Sequence, residues 1–188
     1  MFRLIVDDEV DLRLLEERHA EALYALTDQN RQQLRRWLVW VDRTNSPADS
    51  AAFIRNGLYQ FSNSDGFQAG IWFKDQFAGG IGFHYWDWNN RKTEIGYWLG
   101  ATFQGQGVMT RACRAMVDYA FGELGLNRVQ IRCARDNARS RAIPLRLGFT
   151  EEGALRQAEW LIDHFEDQIV YGVLAEEWRR ATGALALS

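Results

Sequence analysis

The chain has 188 residues, of which 47% are hydrophobic and 25% are charged, and its formal net charge is −3. This composition is typical of a folded globular protein and argues against a general nucleic-acid-binding function. We expect one domain over residues 1–180 and a frayed tail over 181–188. The two cysteines, Cys113 and Cys133, and the three scattered histidines predict no metal site. No secretory signal or membrane-spanning apolar run is visible, so a cytoplasmic protein without membrane partners is expected.

The first third of the chain is predicted to contain a hairpin and then helices: strands at 2–6 and 12–15, a broken helix over 18–40, and a helix from Ser46 to about Phe61. The start of the last helix is the strongest of these signals. Ser46 can cap the free backbone N–H groups of a helix, and Pro47 suits the first helical position.

The rest of the chain is predicted to contain six strands and two helices. The strands cover 67–74, 77–86, 92–99, 128–134, 149–157 and 168–174, and the helices cover 109–124 and 137–147. The first three strands should form an antiparallel meander. The fourth should run parallel to the third, because the helix between them makes a crossover. Gly148 is expected at the end of the second helix, and residues 160–166 are expected to connect the last two strands.

The most informative stretch covers residues 94–110, where a strand leads into a glycine turn and then into a helix. Backbone N–H groups at a helix N-terminus favour an anion, and Gly105 and Gly107 let the backbone approach it, so a phosphate site is predicted. A P-loop is excluded because no lysine follows Gly107. A dinucleotide-binding fingerprint is excluded because Thr110 stands where the third glycine belongs.

The loop at 104–109 (Gln-Gly-Gln-Gly-Val-Met) and the order of the elements resemble the GNAT superfamily of N-acetyltransferases. The resemblance extends over residues 12–178 and includes the strand at 90–99 and the segment from Asn137 to Gly153. Residues 133–137 (Cys-Ala-Arg-Asp-Asn) and 156–160 (Arg-Gln-Ala-Glu-Trp) are similar to the RimL-like branch, whose members acetylate ribosomal-protein N-termini. Met109 departs from the broad pattern, which prefers glycine or alanine there.

The resemblance implies an α+β fold with a bent, splayed, mixed sheet of about seven strands and helices on both faces. It implies acetyl-CoA as the cofactor, with the pyrophosphate at the glycine turn, the pantetheine arm along the strand that contains Gly96, and Asn137 at the pantetheine amide. The residues implied in cofactor binding are Trp98, Leu99, Gln104, Gly105, Gln106, Gly107, Val108, Met109, Thr110, Asn137 and Ser140.

Amine attack on a thioester needs a group that takes a proton, a donor for the oxyanion and a proton for the leaving thiolate. Glu94 is the candidate base, directly or through water; otherwise it is a surface glutamate paired with Arg91 or Lys92. Ser140 is the candidate acid; otherwise it is a hydroxyl in the first turn of a helix. The peptide N–H of Leu99 or Gly100 is the oxyanion donor that the resemblance implies.

Aromatic and polar residues beside these positions are candidates for the acceptor pocket: Trp37, Trp40, His84, Tyr85, Trp86, Glu159 and Trp160. A hydrophobic face of the sheet is the other interpretation of the aromatic ones. Cys133 lies on a strand expected to line the cofactor cleft, but no base is readable beside it, so it is not expected to form an acyl-enzyme.

The expected function is acetyl transfer to a primary amine, most directly the α-amino group of a protein. Two alternatives stay open at this point. One is an acetyltransferase for small amines such as polyamines, aminoglycosides or amino acids, and the other is a GNAT-shaped module that binds coenzyme A without catalysis. A homodimer is a further expectation.

Overall fold

The computed structural model describes residues 3–185, in which eight strands form one sheet. The strands are β1 (Arg3–Ile5), β2 (Val10–Leu14), β3 (Phe67–Phe73), β4 (Gln76–Asp87), β5 (Lys92–Leu99), β6 (Arg128–Ala134), β7 (Thr150–Leu161) and β8 (His164–Leu174). Their spatial order is β1-β2-β3-β4-β5-β6-β8-β7. The α+β fold with a mixed sheet is therefore confirmed, with eight strands instead of about seven. Phe2, the predicted first residue of the first strand, lies outside the described residues.

Six α-helices connect and cover these strands within residues 3–185: α1 (Ala20–Gln29), α2 (Arg31–Leu34), α3 (Pro47–Ser62), α4 (Val108–Gly122), α5 (Ala138–Arg146) and α6 (Ala175–Leu185). The predicted break near residue 30 separates α1 from α2. Ser46 caps α3, because its side chain accepts a hydrogen bond from the Asp49 backbone N–H. The helix α6 continues through Leu185, so the tail predicted from residue 181 begins inside a helix, and residues 186–188 lie outside the described part.

The connection predicted over residues 160–166 is wrong, because β7 and β8 extend almost to each other. Only Ile162 and Asp163 separate the two strands. The Trp160 and Phe165 side chains lie opposite each other in the ladder, with ring centroids 4.8 Å apart. Such cross-strand aromatic pairs stabilise a hairpin, and this pair extends the two strands into the segment that was predicted to connect them.

Two apolar clusters lie on opposite faces of the sheet. The larger one contains Ile71, and the smaller one contains the next residue, Trp72, because successive strand side chains point to opposite faces. The larger cluster includes the buried stripe of α4, and the smaller one includes Leu23 of α1 and Ile54 of α3. Helices therefore cover both faces, as predicted.

The strands β5 and β6 form the parallel pair of the sheet and separate after a short contact. Lys92, Thr93 and Glu94 pair with Arg128, Val129 and Gln130, and then the pairing stops although both strands continue. This splay opens a cleft of about 2160 Å³ through the middle of the molecule. Among the described residues, no helix is long and apolar enough to cross a membrane.

Candidate active site

The glycine turn lies at one end of the cleft, between β5 and α4. Gly105 and Gly107 have φ angles of +76° and +73°, and a Cβ at either position would meet no protein atom within 4 Å. Gly107 directly precedes α4, whose first backbone N–H groups have no acceptor inside the helix. The turn therefore offers open space, free donors and the positive end of a helix dipole, which is what an anionic phosphate requires.

Gln104 fixes this turn to the elements on either side of it. Its side-chain amide donates to the Leu99 carbonyl oxygen (3.2 Å), and its Oε1 accepts from the Arg139 guanidinium at the start of α5 (2.9 Å). Both bonds place the turn beside the open end of the splay. Gln106 instead donates to the Thr102 carbonyl oxygen and does not line the cleft, so of the predicted turn residues its side chain is the one outside.

Glu94 lies where β5 and β6 separate, and only 4% of its surface is exposed. One carboxylate oxygen accepts from the Gln130 amide (2.7 Å) and the other from Arg132 Nε (2.9 Å). The alternative of a surface glutamate paired with Arg91 or Lys92 is therefore wrong. Because a carboxylate has about four acceptor sites, each oxygen of Glu94 can still accept one bond from the cleft.

His84 lies directly above Gly96, so close that a Cβ at Gly96 would be 2.3 Å from His84 Nε2. Gly96 is therefore required by this close approach of an imidazole. The cleft walls lower the pKa of His84 by desolvation, while the nearby Glu94 charge partly opposes that shift. The ring is consequently neutral at pH 7 and can donate or accept a hydrogen bond in the cleft.

Ser140 lies on the opposite side of the splay, in the first turn of α5. Its backbone N–H donates to Asn137 Oδ1 (3.1 Å), so Asn137 caps the helix. Its hydroxyl lies 3.2 Å from Cys133 Sγ and donates to the Tyr97 hydroxyl (3.4 Å). The hydroxyl therefore has neighbours in the cleft and is more than an ordinary first-turn side chain.

Tyr97 is the site residue that the sequence analysis missed. Its hydroxyl donates to the Ser140 carbonyl oxygen (3.0 Å), which ties β5 to α5 across the splay. Burial raises the pKa of this phenol, so it stays protonated and keeps donating. Burial also raises the pKa of the Cys133 thiol, which argues against a nucleophilic role, as expected.

The directions of the peptide N–H groups at the end of β5 distinguish between the two candidates for the oxyanion donor. Gly100 N–H donates to the Ala78 carbonyl oxygen (2.9 Å), so Gly100 is not free for this role. Neighbouring N–H groups of a strand point to opposite edges, so the N–H of Leu99 points towards the splay. Leu99 therefore stays the candidate, and the implied role of Gly100 is corrected.

The acceptor candidates fall into two groups. Four of them line the cleft: Trp37, Trp40, His84 and Glu159. Trp86 is buried and packs against Phe67 and Phe83, so it belongs to the core. Tyr85 and Trp160 do not line the cleft either; Trp160 lines a separate depression at the protein surface. Trp86 therefore fits the interpretation as a hydrophobic face, and the acceptor role of the residues that line the cleft stays a prediction.

Glu159 of β7 lines the cleft. Desolvation raises the pKa of its carboxyl, although the Arg132 charge and a hydrogen bond from the Gln168 amide oppose the shift. Its charged form is therefore less stable in the folded protein than in the unfolded chain. This is the environment of a carboxylate that gains stability when a cation binds beside it.

We expect Glu159→Gln to raise the melting temperature at pH 7 and to leave it unchanged near pH 4. A carboxyl whose pKa is raised by folding costs no stability below its unfolded pKa, and it destabilises the fold as pH rises through the folded pKa. The glutamine variant has no such charge, so the difference should grow with pH. Thermal denaturation of both proteins from pH 4 to 8 measures it, and a constant difference would contradict this assignment.

The two candidate groups for proton transfer lie on opposite faces of the sheet. Glu94 and Tyr97 are three positions apart on β5, so their side chains point to opposite faces, and Ser140 lies with Tyr97. Gly96 and Trp98 share the face of Glu94, towards the helices α1 and α3. A reactant can therefore enter from each face and meet the other at the splay.

A mixed sheet with a splayed parallel pair, a glycine turn before the crossover helix and a cleft between the two faces is the architecture of a GNAT acetyltransferase. The family model for the acetyltransferase (GNAT) domain matches residues 9–150. The chain belongs to this family and is an N-acetyltransferase.

Known relatives agree with this assignment over nearly the whole chain. YdaF of Bacillus subtilis (strain 168), a provisionally named ribosomal N-acetyltransferase, is 40% identical over 95% of this chain and 98% of its own. The RimL ribosomal L7/L12 α-N-protein acetyltransferase in complex with coenzyme A is 27% identical, with a TM-score of 0.90 over 94% of this chain and 99% of its own. The microcin C7 self-immunity acetyltransferase MccE in complex with acetyl-CoA and AMP is 36% identical. Its TM-score is 0.86, and the match covers 90% of this chain and 94% of the MccE chain.

Proposed function

We propose that this protein transfers the acetyl group of acetyl-CoA to the N-terminal α-amino group of a protein, with ribosomal proteins as the first candidates. The observation that carries the proposal is the splay between β5 and β6. It opens a single cleft that contains both a glycine turn suited to phosphate and, on the opposite face of the sheet from Ser140, the carboxylate of Glu94. RimL is named as an α-N-protein acetyltransferase of ribosomal L7/L12, and the name of YdaF refers to ribosomal N-acetylation; both names support the choice of acceptor.

The residues of the cleft fit acetyl-CoA. The N–H groups at 105–110 would hold its pyrophosphate, and the unpaired edge of β5 after Glu94 would take the pantetheine arm as an added strand. Arg139, which already bonds Gln104 at the turn, adds a positive charge at the same end. The bound cofactor supplies the thioester whose acetyl group is transferred.

We expect Gly107→Ala to raise the KM for acetyl-CoA about tenfold and to lower the free energy of unfolding by about 1 kcal/mol. The positive φ of +73° strains any residue with a Cβ, and the new methyl group would occupy the space left for the phosphate. Gly125→Ala is the matched control, because Gly125 also has a positive φ (+61°) with open space but lies outside the cleft.

Steady-state kinetics and denaturant unfolding of both variants measure this prediction. The control should lose similar stability and keep its KM. Equal KM values for Gly107→Ala and wild type would contradict the placement of the phosphate.

Each proton has a proposed path along this chain's own residues. The acceptor ammonium lies between Glu94 and Glu159 and loses its proton to Glu94, directly or through water. The Leu99 N–H stabilises the oxyanion, and as the C–S bond breaks the Ser140 hydroxyl protonates the leaving thiolate on the other face. The proton that the attacking nitrogen loses in the same step returns to this hydroxyl through water. The neutral His84 ring adds no positive charge that would repel the ammonium.

The chemistry of a carboxylate supports an α-amino acceptor over an alkylamine. A carboxylate is a weak base compared with an amine, and hydrogen bonds from Arg132 and Gln130 hold that of Glu94 at the splay. An α-amino group has a pKa of about 8, whereas a lysine-type ammonium has one of about 10.4. The weak base therefore suits the amine that releases its proton more easily.

An acetyltransferase for small molecules is the second candidate. MccE is 36% identical and its structure is a complex with both acetyl-CoA and AMP, so a nucleotide-linked amine belongs in any substrate panel. Release of coenzyme A thiol with peptide α-amines, and not with polyamines, aminoglycosides or nucleotide-linked amines, would support the protein acceptor. Binding of acetyl-CoA without turnover of any amine would instead favour a non-catalytic module.

We also infer a reducing compartment, because Cys113 and Cys133 are both free thiols and both are buried. The homodimer stays a prediction. The outer strand β7 is exposed along almost its whole length and is the edge through which a second copy could add.

A further inference from the structure

A second depression, of about 310 Å³, lies at the surface just outside the active-site cleft. Its lining comes from Arg35, from the turn at Val39–Arg43 and from the tip of the β7–β8 hairpin. Val39 and Arg43 line both this depression and the cleft, so the two adjoin. We propose that the depression binds acceptor residues that follow the acetylated N-terminus and that it selects an acidic side chain beside an aliphatic one; this rests on the proposed function.

The walls of the depression are held in place before any ligand arrives. The Arg31 guanidinium donates to the carbonyl oxygens of Val41 (2.7 Å) and Thr44 (2.6 Å) and so fixes the turn at Val39–Arg43. On the other wall, Trp160 is held by its edge-to-face contact with Phe165. A preformed surface loses little conformational entropy on binding, so its contacts can contribute to affinity.

The charge of the depression favours a carboxylate. Arg35 forms an ion pair with Asp42 (3.1 Å), so these two lining residues neutralise each other. Arg43 is exposed and forms no ion pair within residues 3–185, which leaves one uncompensated positive charge at the junction with the cleft. An acidic side chain of the acceptor can complete that pair with a charge-assisted hydrogen bond.

The apolar part of the depression is exposed to solvent. Val39, Trp160 and Ile162 expose 44%, 51% and 50% of their surface. Ile162 also has a φ of +54° in the hairpin turn, a strained conformation for a β-branched residue that glycine or asparagine would adopt more easily. We infer that the isoleucine side chain itself is used there, as an aliphatic contact for the acceptor.

The position of the depression beside the cleft favours a polypeptide as the occupant. A free small amine that reaches Glu94 would lie inside the cleft, while a chain extending from its acetylated N-terminus would leave past Val39 and Arg43. An extended chain advances about 3.3 Å per residue, so successive residues of the acceptor would sample the depression. The first residues after the N-terminus are therefore the ones on which selection should act.

The test is steady-state kinetics with serine-initiated peptides in which aspartate or lysine is placed at each of positions 2 to 8 in turn. Wild type should prefer aspartate about fivefold in kcat/KM at one or two adjacent positions. Arg43→Glu should reverse that preference, and Arg179→Glu, an exposed arginine on α6 outside both cavities, should leave it unchanged. Trp160→Ala should lower kcat/KM for a peptide with leucine beside the acidic position more than for one with glycine there.

The inference fails if no position shows a charge preference, or if Arg43→Glu slows acidic and basic peptides equally. It also fails if wild type sediments as a dimer that Arg43→Glu dissociates without changing peptide preference, because a second copy would then occupy the depression. Acetylation of small amines with no turnover of any peptide would overturn the proposed function itself, which is a different outcome.

Discussion

Glu94→Gln should lower kcat with an N-terminal peptide about a hundredfold at pH 7 and leave the affinity for acetyl-CoA unchanged. Glutamine keeps the size of the side chain and can still accept from one of Gln130 and Arg132 through its single oxygen, but it cannot take a proton or stabilise an ammonium. Arg132 is partly exposed, so it can turn towards water, and the variant should lose only about 1 kcal/mol of unfolding free energy.

The pH dependence of the ratio of wild-type to variant kcat/KM separates a proton-accepting role from a structural one. An α-amino group loses its proton near pH 8, so the defect of Glu94→Gln should shrink between pH 7 and 9. A structural defect would stay constant over that range. Glu152→Gln is the matched control. Like Glu94, Glu152 forms an ion pair with an arginine of β6, in this case Arg128, but it lies outside the cleft. A variant that retains at least half of the wild-type kcat would assign the proton to another group.

Ser140→Ala should lower kcat about a hundredfold while the KM for acetyl-CoA changes little. The helix cap uses the backbone N–H of Ser140, not its hydroxyl, so alanine leaves the Asn137 bond intact and the fold stable. Loss of the hydroxyl removes the donor beside Cys133 on the thiolate side of the splay. The expected result is therefore a catalytic defect without a change in melting temperature.

Ser62→Ala is the matched control, because Ser62 is an exposed hydroxyl at the end of α3 that bonds only the Tyr59 carbonyl oxygen. It should keep wild-type kcat. If Ser140→Ala also keeps its kcat, water protonates the thiolate, and the Ser140 hydroxyl only positions Tyr97 and Cys133.

The sequence predicted the elements that depend on local patterns. The 3.6-residue period of α4, the capping residue Ser46 and the meander of β3 to β5 all agree with the structure. The glycine turn was also predictable, because a positive φ without a steric penalty requires glycine at 105 and 107. Each of these signals depends on a few neighbouring residues, so it can be read from a single sequence without knowledge of the fold.

The contacts between distant strands could not be predicted in the same way. The pairing of Glu94 with Arg132, 38 positions later, depends on the register of β5 and β6 and on where they splay. Tyr97 has the pattern of an ordinary core aromatic, and only its distance to Ser140 reveals its role. The positions of Trp86 and Trp160 could not be predicted for the same reason, because the sequence does not show on which face of the sheet a ring lies near the end of a strand.

The most direct test of the account compares one peptide in two forms, with a free N-terminus and with a formylated N-terminus, each containing one lysine. Both are incubated with enzyme and acetyl-CoA, and the mass and the modified position are determined by fragmentation. The account predicts a gain of one acetyl group on the α-amino group of the free peptide and none on the formylated one. Acetylation of the lysine in both forms, or turnover of small amines alone, would contradict it.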